Sequence, residues 1–379
     1  MTTTHFIEPL DVLFLRGNKL FGEPGSYGES QIPPWPSVAA GAIRSLLLSR
    51  DGVDFEKFKK GEENHPEVGT PAEPGSFRIT DFGLARKRED GLERIFPIPA
   101  DLVVSEVEEI GNESAEQEML LMRIQPQFVH PRIQHSFPLE RLPVLPQSQR
   151  GKPLSGRWLT QSGWEKYLSG DTPMVADLVT TAELWQPDER VGVGLDPDRR
   201  SAGDGKLFSV QGAAFCDGVG FVVGVTGAEL PEKDMLRFGG DGRGAALHTV
   251  GAAVPGTDVN ALAQKGRCRI VLTTPGLFDN GWRLPGMDGE GGFELMGVRG
   301  KVIAATVARA EVVSGWDLAR WQPKPALRAA PTGSVYWLEA LQATPEALRK
   351  LASHGLWPET GYDAQRQAEG FNRFCWGEW

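Results

Sequence analysis

Four glycines fall within the six residues Gly239 to Gly244, in the run Phe238-Gly239-Gly240-Asp241-Gly242-Arg243-Gly244. Glycine takes positive φ freely and lets backbone N–H groups approach a ligand. Successive N–H groups turned inward form a concavity for an anion. Arg243 adds a planar fork suited to a phosphate or a guanine edge. Asp241 argues against a plain phosphate cradle, because its carboxylate can bond the loop's own N–H groups. The run lacks the closing Lys-Ser/Thr of a Walker A loop, and no long helix follows it as in a dinucleotide fingerprint. Taken alone, the plainer reading is a glycine-rich turn.

Other chemistry-bearing residues form weaker patterns. His130 and His135 flank Pro131, which rules out the helical spacing of a zinc site. Asp288, Glu290 and Glu294 cluster in a glycine-rich loop and read as a solvated surface. No nucleophile–base pair and no telling carboxylate pair stands out, so neither a metal nor a cofactor is expected. Cys216, Cys268 and Cys375 are odd in number and far apart, which fits a reduced, cytoplasmic protein without a CxxC site.

The chain has 379 residues, 40% of them hydrophobic and 24% charged, with a net charge of −10. That length accommodates two domains with real cores. The negative balance counts against a free-standing nucleic-acid binder but leaves room for a local basic patch, since salt screens charges beyond ~10 Å. The chain shows no apolar run of the ~20 residues that span a bilayer and no signal-peptide pattern at its start.

The elements that must position these residues follow from local pattern. His5 to Arg16 reads as a strand. A polar, glycine-rich loop with Arg16 and Lys19 beside it leads to Pro33-Pro34-Trp35-Pro36-Ser37, where Ser37 is the expected N-cap of a helix from Val38 to about Leu48. Gly41 inside that helix suggests a close backbone approach. Phe77–Ala85 and Leu92–Ile98 read as a hairpin turning at Asp90-Gly91. Glu183 to Phe208 reads as a protruding hairpin carrying Arg190, Arg199 and Lys206. A second hairpin is expected around Asp217-Gly218, followed by a short helix over Pro231–Phe238. After Pro255-Gly256 the pattern restarts. Strands are expected at Arg267–Thr273, Val298–Val313 and Gly333–Glu339, with a helix capped by Thr344 and ended by Gly355. A helix, a glycine-containing loop and a strand thus recur, which fits an α+β chain of two ferredoxin-like (RRM-like) modules over residues 1–256 and 257–379.

Several of these stretches also resemble one family. They are Pro9-Leu10-Asp11-Val12-Leu13-Phe14-Leu15-Arg16-Gly17 with Phe21-Gly22, and Pro36-Ser37-Val38-Ala39-Ala40-Gly41-Ala42-Ile43-Arg44-Ser45. To these add Glu189-Arg190-Val191-Gly192, Gly205-Lys206-Leu207-Phe208, Gly239-Gly240-Asp241-Gly242-Arg243, Gly333-Ser334-Val335-Tyr336 and Gly370-Phe371. Together they resemble the subunit-three family of the Cmr complex, the repeat-associated (RAMP) proteins of type III-B CRISPR effectors in antiviral defence. The resemblance implies a non-catalytic subunit that holds the repeat-derived 5′ handle of the guide RNA. It also implies docking on the large polymerase-like subunit and on the first backbone subunit. On that reading Arg243 and the N–H groups of Gly239, Gly240 and Gly242 meet phosphates. Arg16, Lys19, Ser37 and Arg44 flank the first loop and helix, and Arg190, Arg199 and Lys206 belong to the hairpin. Two alternatives stand beside it: an RNA-processing endonuclease of the same fold, with His248 the best-placed base, and a metabolic enzyme with an anion site at Gly239 to Gly244.

Overall fold

The computed structural model describes residues 2–17, 27–28, 30–107, 118–130, 132–147, 151–195, 202–251, 255–317 and 319–379. The chain opens with strand β1 (Thr2–Pro9), whose His5, Phe6 and Ile7 are buried. The expected strand to Arg16 stops at Pro9, because proline removes a ladder donor. Beyond it, Leu13, Phe14 and Arg16 make only single bridges, to Ala213, Gly240 and Ser30.

Helix α1 (Pro36–Arg50) buries Ala39, Ala40, Ile43 and Leu47. Its N-cap is Trp35, with no side-chain cap, rather than Ser37. Pro36 at the first helical position explains the shift, since its fixed φ is already helical. Gly41 is exposed, and a Cβ there would meet nothing within 4 Å among the described residues, so the expected close approach is absent.

Strands β2 (Arg78–Arg88) and β3 (Gly91–Pro97) form the hairpin expected at Asp90-Gly91. They are followed by β4 (Arg157–Thr160), helix α2 (Gln161–Leu168) and β5 (Leu178–Thr180). The long strands β6 (Trp185–Leu195) and β7 (Ala202–Phe215) pair as a separate hairpin, as expected. The turn at Asp217-Gly218 does not close a second hairpin. It passes the chain from β7 to β8 (Val219–Thr226), which pairs with β1 and β2 instead. The helix expected over Pro231–Phe238 is strand β9 (Lys233–Arg237), hairpinned to β10 (Gly244–Val250). The resulting sheet has eight strands in the order β5-β4-β3-β2-β8-β1-β10-β9.

The second sheet is built from β11 (Cys268–Leu272), β12 (Gly292–Leu295), β13 (Val298–Thr306), β14 (Val335–Gln342) and β15 (Phe374–Gly377), in the order β12-β13-β14-β11-β15. All its pairings are antiparallel. Helix α3 (Pro345–His354) joins β14 to the C-terminal elements, with Thr344 accepting from the Ala347 N–H and Gly355 closing it, as expected. Helix α4 (Ala364–Ala368) follows.

The two sheets share a core. Phe96, Leu159, Trp164 and Tyr167 pack with Val271, Ile303, Val335 and Trp337. At its centre lies a fully buried ion pair, Asp101–Arg269, 2.9 Å apart. Tyr167 donates its hydroxyl to Asp101 at 2.7 Å, and Arg269 Nη2 donates to the Tyr167 carbonyl at 2.6 Å. A second polar contact buries Glu369 among Arg44, Lys324 and Arg366. Burial raises the Glu369 carboxyl, but the three cations outweigh it and hold the group below its usual value.

Glu311 opens a short strand, Glu311–Val313, paired with Leu327–Ala329. Burial pushes its carboxyl from 4.5 up to about 7, with the Trp35 indole pulling the other way. The folded chain therefore binds more protons than the unfolded chain between these values, and stability falls as pH rises through that window.

Both Gly41 and Glu311 can be tested by substitution. Gly41→Ala should raise stability by about 1 kcal/mol, the helix-propensity difference at an open site; an unchanged denaturation midpoint would mean that Gly41 is held by a contact. Glu311→Gln should stabilise the chain at pH 8 by up to ~3 kcal/mol and progressively less toward pH 4.5, the intrinsic value of the carboxyl. Urea unfolding of both proteins across that range measures it, and a gap independent of pH would contradict the buried proton.

Candidate nucleic-acid interface

The glycine run is the loop of the β9–β10 hairpin. The Phe238 N–H donates to the Arg243 carbonyl at 2.8 Å and closes it. Gly239, Asp241 and Gly242 take φ of 76°, 58° and 63°. A Cβ on Gly239 would lie 2.9 Å from the Phe14 carbonyl oxygen, whereas one on Gly242 meets only the Arg237 side chain at 3.7 Å. The Gly240 N–H donates to the Phe14 carbonyl at 2.7 Å, which docks the loop on the segment leaving β1. That N–H is spent inside the fold and does not face an outside anion.

Phe14 is only 3% exposed, and two guanidinium groups lie over its ring. Arg243 lies 5.0 Å from the ring centroid and Arg190, from β6, lies 5.5 Å from it. Cation–π contact of this kind holds a guanidinium flat and oriented. Each arginine also meets a carboxylate. Arg243 donates to Asp11 at 2.5 Å. Arg190 makes a two-pronged contact with Asp188, at 3.1 and 2.9 Å. Arg16 is 3.9 Å from Asp241. The Val12 N–H, with help from Arg243 and Arg190, holds the Asp11 carboxyl below its ordinary value. The hydrogen bonds from Arg190 do the same for Asp188, and Asp188 in turn raises Arg190. These carboxylates therefore stay charged at neutral pH.

Of the residues singled out in the sequence, the fold thus brings together Arg16, Arg190, Gly239, Gly240, Gly242 and Arg243. Ser37 sits in the first turn of α1, half-buried, and Arg44 turns inward to Glu369 at 3.6 Å. Neither joins the arginine group. Lys19 and Arg199 lie outside the described residues, as does the side chain of Lys206. Sequence reasoning missed Phe14, Asp11 and Asp188. Phe14 read as one more apolar strand residue, and only the tertiary contact of three separate segments marks it. His248 lies 3.7 Å from Glu8, while His130 and His135 are exposed.

The fold and this loop cluster define an α+β protein that displays carboxylate-paired arginines where two hairpins meet the segment that follows the first strand. The sequence profile of the family described as CRISPR-associated protein (Cas_Cmr3) matches residues 5–379, and the chain belongs to that family. Among solved structures, the chain is similar to one in "Cryo-EM structure of the Type III-B Cmr-beta bound to cognate target RNA and AMPPnP, state 1". There the identity is 12% over 98% of this chain and 93% of that chain, with a TM-score of 0.47. A chain of "Cryo-EM structure of the Type III-B Cmr-beta bound to cognate target RNA" is 14% identical over 88% and 86%, with a TM-score of 0.43. No curated protein matches the chain. Among the described residues no helix is long and apolar enough to cross a membrane.

The two glycines of the loop should respond differently to substitution. Gly242→Ala should cost about 1–2 kcal/mol, the penalty of a Cβ at left-handed φ. Gly239→Ala should cost more, because its Cβ also collides with the Phe14 carbonyl. Equal losses in chemical unfolding would show that this collision is relieved at no cost.

Proposed function

We propose that this chain is an RNA-binding, non-catalytic subunit of a type III-B CRISPR effector, and that it grips the 5′ handle of the guide RNA at the β9–β10 loop. The observation that carries this reading is the meeting of Arg16, Arg190 and Arg243 at Phe14 and the glycine loop. A guanidinium that bonds a carboxylate through two N–H groups can bond a phosphate in the same geometry. Incoming RNA backbone would displace Asp11, Asp188 and Asp241, so binding costs the loss of these pairs. The strand order supports two ferredoxin-like sheets. The run β10-β1-β8-β2 and the run β15-β11-β14-β13 both follow the 4-1-3-2 order of that fold. The first sheet keeps the first connecting helix, α1, and the second keeps the last one, α3.

Gly239 and Gly242 act in this reading by shaping the loop. Lys19, Arg199, Lys206 and Ser37 stay in it on the family resemblance, while Arg44, spent on Glu369, is left out. The β6–β7 hairpin exposes Val191 and Leu207, at 70% and 58%. Apolar side chains on a projecting hairpin suit docking on a neighbouring subunit, for which the large polymerase-like subunit and the first backbone subunit are the candidates.

The chain should be purified from its native cells and the accompanying RNA sequenced. Guide-length RNAs with a shared 5′ end are the expected result, and a monomer without RNA would overturn the reading. In the assembled complex, Arg243→Ala should weaken handle RNA and lower the salt slope by about one if it meets a phosphate. Asp11→Asn should act in the opposite direction, tightening binding by freeing Arg243. Unchanged affinity and slope in both variants would remove Arg243 from the interface.

A further inference from the structure

Beyond β13 the chain leaves the second sheet as a two-stranded arm. Its base is the pair Glu311–Val313 and Leu327–Ala329, and its tip is the pair Trp316–Asp317 and Gln322–Pro323. The base is fixed in the fold. Val313 and Ala329 are buried with Trp35, Trp357 and Phe371. Lys324 bonds Glu369 at 2.5 Å, and Arg366 donates to the Ser314 carbonyl at 3.2 Å. The tip has no such cover: Trp316 and Trp321 are 50% and 70% exposed. Their rings lie 5.9 Å apart at 88°, edge to face. Each indole braces the other, and the exposure leaves ring surface open to a stacking partner. Trp321 also takes φ 52°, a left-handed conformation in which a bulky side chain is an outlier. Backbone strain of this kind gathers at ligand clamps. An exposed indole at a strained φ does not serve the stability of the arm.

The charge around the tip is positive. Arg309, Arg320, Lys324 and Arg328 stand on this arm against Glu311 and Asp317, in a chain of net charge −10. Arg309 and Arg328 are exposed and have no ion-pair partner among the described residues. Arg320, 69% exposed, reaches Asp317 only at 4.0 Å. Asp317 spends Oδ1 on the N–H groups of Ala319 and Arg320, both at 3.0 Å, and so closes the turn.

Open aromatic faces interleaved with arginines match what single-stranded nucleic acid offers, flat bases joined by phosphates. A protein partner fits less well, because the exposed residues of the arm number fewer than the ~20–30 that a standard interface uses on one side. We propose that the Trp316–Trp321 tip is a stacking platform for an unpaired base of single-stranded RNA, with Arg320 on the adjoining phosphate. It is a second contact, built from other residues than the β9–β10 loop, and it rests on the RNA-binding reading above. Stacking engages a π-face that every base has, so the platform accepts bases without regard to sequence.

The full chain should be titrated with short labelled oligouridine and oligoadenosine, followed by fluorescence anisotropy. Both should bind. Trp321→Ala should weaken binding about 5- to 150-fold, the loss of one stacked base, and leave the salt slope unchanged. Arg320→Ala should instead lower the slope by about one. Trp321→Phe keeps a ring and should recover most of the affinity. Trp321→Asn accepts the left-handed backbone, so it should lose RNA at an unchanged or raised thermal midpoint, which separates binding from folding. A strand of abasic sugars should bind the unaltered chain and Trp321→Ala equally. No binding by the full chain, equal affinity of the unaltered chain and Trp321→Ala for oligouridine, or a gap that persists on the abasic strand would each overturn the proposal. So would a Trp321→Ala chain that keeps RNA but loses its co-purifying proteins, since the tip would then be a protein-docking surface. Arg243→Ala should weaken RNA while keeping the difference between oligouridine and the abasic strand. A loss confined to Arg243→Ala therefore overturns the platform, and a loss confined to the Trp321 variants supports the platform and removes the β9–β10 loop.

Discussion

The two sheets are held in register by the buried pair Asp101–Arg269. Removing two charges from water is costly, and their attraction offsets that cost only when the remaining donors are satisfied. Here every nitrogen of the guanidinium has a partner. Nη1 meets Asp101, Nη2 the Tyr167 carbonyl, and Nε the Glu378 carbonyl at 3.0 Å. The Tyr167 ring stacks on the same guanidinium at 4.2 Å. Because these partners come from the segment after β3, from α2, from β11 and from the C-terminal residues, the contact specifies one arrangement of the two halves. Slippage between them would strand a buried charge. The shared apolar core depends on that arrangement.

The exposed surface follows the opposite logic. The arginines around Phe14 are oriented by the ring and by carboxylates that water still reaches, so their pairs contribute little to stability. On the proposed function, what they would supply is readiness, since the guanidinium groups are already held beside the ring where an anion could take over the hydrogen bonds. Such an arrangement would reconcile a net charge of −10 with the proposed anion-binding role. In that proposal the balancing acids stand beside the site and would yield to a competitor, while salt screens the remainder of the molecule.

Among the described residues, each sheet also lacks one of the helices that its strand order would accommodate. The first has strand β9 where a helix was expected. Lys233-Asp234-Met235-Leu236-Arg237 has fair helix propensity, yet only Leu236 of it is buried. Propensity is a weak prior when an open sheet edge offers a ladder of partners, as β10 does here. The second sheet has a glycine-rich connection between β11 and β12, whose turns are taken by Gly281, Gly286 and Gly291 at positive φ.

Much of the local structure was legible in the residues themselves. Asp90-Gly91 announced its hairpin, Thr344 and Gly355 marked both ends of α3, and the alternation of Cys268, Ile270 and Leu272 marked a strand inside the second sheet. The glycines around Arg243 announced a loop of unusual backbone, and Gly239 and Gly242 do take φ above zero there. These features rest on interactions between near neighbours in the chain, which the order of residues alone determines. The tertiary structure decided which arginines serve together. Arg44 and Arg243 both stood as candidate RNA contacts in the sequence, but one faces Glu369 in the interior and the other faces Phe14 at the surface. It also decided that the strands flanking Asp217-Gly218 enter different sheets. Each of these outcomes depends on segments far apart in the chain meeting across a core, and no local pattern encodes that meeting.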